Sequence, residues 1–136
     1  VRILNRDAWR QAPELITKLI EDVVAPTGAH VEVGYNRGVP PVVNDRMATA
    51  VIAGAAGAAL GADRVVEAEI SMGGEDFSFY LDHVPGSMIR LGTARPGSDE
   101  KHDLHQGDFD VDESCIGYGV RVMVHTALAA LSTGAF

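Results

Sequence analysis

Apolar residues along this chain switch between two rhythms. From Asp7 to Val24, residues Leu15, Ile16, Leu19, Ile20, Val23 and Val24 recur at spacings of three and four, which gives a helix one apolar face. Asn5 is placed to cap that helix, and Pro26 and Gly28 to stop it. Pro13 lacks an N–H and suits only a first turn, so the spacing predicts a start near Ala12 or a kink. Val31, Val33 and Tyr35 then alternate with Glu32 and Gly34, the period of a strand with one wet face. Gly38-Val39-Pro40-Pro41 suits neither rhythm and marks a boundary. Asn44 or Asp45 opens a second helix that runs to about Leu60. Its run of alanines and glycines, from Ala53 to Ala59, presents a flat surface that a sheet could approach closely.

Val65 to Ile70 and Ser87 to Leu91 read as further strands, with Val1 to Leu4 as a short one and Thr93 to Lys101 as a loop. Asp112, Glu113 and Ser114 open a last helix, acidic at its positive end. Ile116, Val120, Val124 and Leu128, with Met123, Ala127 and Leu131, form its expected buried stripe. Helices alternating with strands predict an α/β layer. A β–α–β unit occupies residues 1–39, and helices lie against strands from about residue 42.

Composition narrows the classes of function. The 136 residues suffice for one modest domain, and 46% hydrophobic with 22% charged residues is ordinary for a folded protein. A net charge of -8 with no basic stripe argues against a nucleic-acid partner. Cys115 stands alone, so no internal disulfide forms, and a reducing compartment fits. No apolar run is read as membrane-spanning and no signal peptide is read at the N-terminus, so the expectation is a soluble, cytoplasmic protein. Val1 replaces the usual initiating methionine and begins what reads as the end of a strand, so a fragment of a longer protein is expected.

Two stretches carry candidate chemistry. In SMGGEDFSFY (71–80), Gly73 and Gly74 allow backbone N–H groups to approach an anionic or carbonyl oxygen, and Phe77, Phe79 and Tyr80 should anchor the turn in a core. An ordinary turn using the glycines for positive φ explains the same residues equally well. Glu75 follows as a substrate contact or a supporting carboxylate. In DLHQGDFDVDE (103–113), His105 sits in a polar loop before a helix, as a metal-binding imidazole could. His102 is three residues away and Asp103 could orient an imidazole, although surface histidines are common and the H-x-x-H pair is weak alone. Arg2, Arg37 and Arg90 suit carboxylate clamps by chemistry and solvated charges by position. His30, His83 and His125 read as isolated, Cys115 as a small core residue, and no nucleophile elbow or triad spacing occurs.

SMGGEDFSFYLDHVPGSMIRLGT followed by DLHQGDFDVDES resembles the C-terminal part of the metal-dependent aminoacylase and carboxypeptidase family, as do VRILNRD and YNRGVPPVVND upstream. The nearest branch comprises N-acyl-amino-acid amidohydrolases, hippurate hydrolases and indole-acetyl-amino-acid hydrolases. The resemblance implies a zinc-peptidase-like α/β catalytic domain with strands flanked by helices, closing here over residues 40–136. It also implies that residues 1–39 are the second half of a ferredoxin-like α+β lid that often dimerises. By the same resemblance His105 is a metal ligand; Gly73, Gly74 and Glu75 form the substrate-binding turn; Arg2 meets a substrate carboxylate; and Asn44 stands at the hinge. Implied partners are a small N-acyl amino acid or peptide-like substrate and a second copy of the chain. Implied cofactors are two divalent metal ions per full-length subunit, zinc, manganese or cobalt. The family's other ligands and its general-base glutamate match nothing in these residues, so the chain alone is expected to be inactive. A non-catalytic dimerisation module derived from the family is the alternative.

Overall fold

The computed structural model describes residues 1–98 and 104–134. All regular structure among them is helical: α1 (Arg6–Val24), α2 (Arg46–Leu60), the single turn α3 (Phe77–Tyr80) and α4 (Ser114–Thr133). Two short 3-10 turns, Ala25–Thr27 and Ala62–Arg64, follow α1 and α2.

The expected α/β architecture is therefore corrected. No β-strand occurs among the described residues, neither in the zinc-peptidase-like layer nor in the ferredoxin-like half. Residues 31–35, 65–70 and 87–91 lie outside any regular element. A strand exists only where a neighbour accepts and donates along its length. Here the long-range backbone bonds are single ones, Asp45 N–H to Gly86 C=O at 2.8 Å and Asp112 N–H to Thr93 C=O at 2.8 Å. Period-two alternation reports which face a segment would bury, and says nothing about whether a partner edge is available.

The chain forms two compact units, one of Val1–Val43 with Ile70–Val84 and one of Asn44–Glu69 with Pro85–Phe136. In the first, the Asn5 side chain accepts from the Ala8 amide at 2.9 Å and caps α1. The helix runs through Pro13 rather than starting beside it. Pro13 has no N–H to offer the Trp9 carbonyl one turn back. Arg37 packs on the same turn without reaching that carbonyl: its guanidinium lies over the Trp9 ring, 5.0 Å from the centroid, and donates to the Arg10 carbonyl at 3.2 Å. Gly28, at φ 70°, then turns the chain out of the 3-10 turn that holds Pro26.

In the second unit Asp45 caps α2, accepting from the Ala48 amide at 2.8 Å. The small face of α2 receives α4 and not a sheet. Ile52, Ala56 and Ala59 pack with Val122 as the buried core, and Leu60 adds to it. Arg121 of α4 donates to the Ala59 carbonyl near the end of α2. α4 carries a second correction, because Ile116, Val120, Val124 and Leu128 face outward while Cys115 and Val122 are buried. It carries a third as well: Ser114–Ser132, with mean hydropathy 1.3, is long and apolar enough by length and composition to cross a membrane. A core helix meets the same criterion, and packing on α2 occupies one of its faces.

Candidate functional site

Four of the six sequence-derived site residues fall in the first unit and two in the second. In the first, Arg2 lies against the glycine turn. A Cβ on Gly74 would sit 2.9 Å from Arg2 Nη1 and 2.7 Å from Val39 Cγ2, distances no real side chain tolerates. A side chain at Gly74 would require both Val39 and the flexible end of Arg2 to move. Neither Gly73 nor Gly74 has positive φ, so close approach, not turn geometry, is the physical requirement. The Gly73 amide donates to Ser71 Oγ at 3.0 Å, so that N–H is engaged within the turn. Glu75 is exposed.

Residues just beyond the turn hold it. Ser78, fully buried, donates from Oγ to the Glu75 carbonyl at 2.6 Å, and its amide bonds the same oxygen at 3.0 Å. Arg6 of α1 donates to the Ser78 carbonyl at 3.2 Å and pairs with Asp82 at 2.7 Å. Sequence reasoning passed over Arg6, Ser78 and Asp82. The one available signal was the equal spacing of four between Arg2 and Arg6 and between Gly74 and Ser78. The expected aromatic anchor is partial: Phe77 is half-buried and stacks 6.3 Å from Tyr80, whereas Phe79 and Tyr80 are exposed.

In the second unit Asn44 is committed to structure. Its carboxamide donates to the Met88 carbonyl and accepts from the Met88 amide, both at 2.9 Å, as a strand neighbour would. His105 is exposed and, at φ 70°, is the one non-glycine residue among those described with left-handed backbone. Histidine adopts that region more readily than bulky residues, and such strain clusters at functional positions. Bonds between the arms of its loop close the base: Asp112 N–H to Thr93 C=O at 2.8 Å, and Arg95 to Asp110 at 2.7 Å. Asp112 also accepts from the Ser114 amide at 2.9 Å, which holds its carboxyl below the usual carboxylate range. His102 and Asp103 lie outside the described residues.

Among the described residues no three His, Cys, Asp or Glu side chains come together as a metal site. His105 offers one donor, fewer than the three or four protein ligands a site takes. The described residues therefore do not fit a complete metal centre.

Comparison with known proteins points one way for family. The model of Peptidase family M20/M25/M40 matches residues 8–129. A provisionally named glutamate–cysteine ligase of Rhodococcus jostii is 42% identical over 91% of this chain, which covers 16% of that protein. A provisionally named hydrolase of Synechocystis is 38% identical over 93% of the chain, 33% of its own length. N-acetyl-L-cysteine deacetylase of Bacillus subtilis is 32% identical over 85% of the chain, 26% of its own length. The chain thus spans a third or less of these relatives. No solved structure matches. With 122 of its 136 residues under that one family model (residues 8–129), the chain belongs to the Peptidase M20/M25/M40 family.

Proposed function

We propose that this chain is the C-terminal part of a metal-dependent amidohydrolase that cleaves N-acyl amino acids to a carboxylic acid and an amino acid. The observation that carries the reading is the packing of Arg2 on the Gly74 turn, a cation beside a turn that has no side chain in the way. A guanidinium there can hold a substrate carboxylate by two parallel N–H bonds. Deacetylase and indole-acetyl-amino-acid hydrolase names among the relatives support the substrate class. The ligase name of the Rhodococcus protein does not favour a ligase, since the chain covers 16% of it.

In this reading His105 supplies one ligand to a divalent ion, zinc, manganese or cobalt, of which the full-length subunit holds two. The metal's chemistry is to polarise the amide carbonyl and activate water. Arg2 and the Gly73–Glu75 turn bind and orient the substrate. The remaining ligands and the general base come from residues outside these 136. Residues 1–39 serve as half of a lid and 40–136 as catalytic-domain residues, and Asn44 steadies the hinge through Met88. Alone, the chain does not hydrolyse substrate.

The test is release of free amino acid from a panel of N-acetyl and longer N-acyl amino acids by the full-length protein, with and without chelator. Chelator-sensitive hydrolysis of at least one free-carboxylate substrate is expected, and a preference lost when that carboxylate is amidated. Hydrolysis indifferent to the carboxylate would remove the role given to Arg2.

A second copy as partner is favoured by the outward stripe of Leu15, Leu19 and Val23 on α1, 67%, 59% and 68% exposed. Pairing of that stripe would make a homodimer.

A further inference from the structure

We propose that Arg6 is a positioning residue for substrate binding, acting through Ser78 on the Gly73–Glu75 turn. This rests on the reading that the turn binds substrate. Arg6 reaches from α1 to both ends of one short segment, with Nη2 3.2 Å from the Ser78 carbonyl and 2.7 Å from Asp82 Oδ2. Its side chain is 19% exposed and that of Asp82 38%, so the guanidinium is largely withdrawn from water while the carboxylate is partly solvated. Ser78 in turn grips the Glu75 carbonyl twice, by Oγ and by its amide, and is itself shut off from solvent. The chain of bonds therefore runs Asp82–Arg6–Ser78–Glu75. Arg2 lies beside Gly74, at the start of the turn that Ser78 closes.

Two arginines four residues apart thus lie against two points four residues apart, and only Arg6 makes hydrogen bonds there. The first is exposed and available to a ligand, and the second is committed to protein. Losing the Arg6 bonds frees the turn to shift relative to Arg2, while leaving Arg2, Gly74 and Glu75 chemically intact. The cost should fall on binding geometry, because Arg6 touches neither metal nor scissile amide.

The experiment compares Arg6→Met, Asp82→Asn and Gly74→Ala in the full-length protein, using its best N-acetyl amino acid substrate. KM, kcat and amide exchange at Ser78 and Phe79 are measured together. For Arg6→Met and Asp82→Asn, the expected result is a KM rise of roughly tenfold with kcat changed less than about threefold, and faster exchange at Ser78 and Phe79. Gly74→Ala should raise KM by at least as much. If Arg6→Met leaves KM alone while Gly74→Ala raises it, the turn binds substrate and the positioning role is wrong. A fall in kcat with KM unchanged overturns it equally. If neither variant moves KM, the turn is not the substrate site and both readings fail. Should Arg6→Met not fold, Arg6→Lys keeps the charge on a shorter, differently aimed head that cannot sit where Nη2 meets both partners, and should raise KM about threefold.

Discussion

At the scale of single residues, the site is built on close approach. Gly74 leaves no room for a methyl group beside Val39 and Arg2 as they stand, so Gly74→Ala must displace both. We expect weakened substrate binding and a stability loss of about 1–3 kcal/mol, read from the denaturation midpoint. The glycine pair itself was legible in the sequence; the reason for it was not. Sequence composition suggests positive φ or a free amide, whereas Gly74 answers to two side chains from residues far along the chain. Arg6, Ser78 and Asp82 were illegible for the same reason, since their roles come from a pairing across more than 70 residues. His105 was legible as a candidate through its loop and motif, but its left-handed backbone was not.

At the scale of elements, caps could be read because capping is local, although the start of α1 was misplaced by Pro13 and α3 was not foreseen. Asn5, Asp45 and Gly28 act where their residue types place them. Which face each helix buries could not be read. The small-residue run of α2 and the stripe of α4 state that a packing face exists, and only packing decides that α2 meets α4 through Ile52, Ala56, Ala59 and Val122. Ile52→Ala should therefore destabilise the second unit by about 2–4 kcal/mol, whereas Leu128→Ala on the outward face should cost far less. The start of α4 carries a pH dependence. The Ser114 amide favours ionised Asp112 and lowers its folded pKa. That contribution is present above the unfolded carboxylate value of about 4 and is lost as pH falls through the lower folded value. Helicity lost on acidification should be smaller in Asp112→Asn, by circular dichroism.

At the scale of the whole molecule, the outward apolar faces matter most. Leu15, Leu19 and Val23 on α1, and Ile116, Val120, Val124 and Leu128 on α4, exceed what scattered surface residues explain. Leu19→Glu with Val23→Glu should shift the full-length protein from dimer to monomer in sedimentation, while the same change at Val124 and Leu128 should not. If the α1 change leaves the sedimentation coefficient untouched, the α1 stripe makes no dimer contact. The missing strands belong to this scale too, because sheets are non-local and no alternation within a segment supplies its neighbour.

The most direct test of the account is metal content of the purified full-length protein with His105→Asn. Asparagine tolerates the left-handed backbone of His105 and removes only the imidazole, so the loop should keep its shape. Bound metal should fall by about one ion per subunit, with hydrolysis lost and melting temperature nearly unchanged. Full metal content with hydrolysis retained would contradict it, and His105 would then be a strained loop residue with no part in the chemistry.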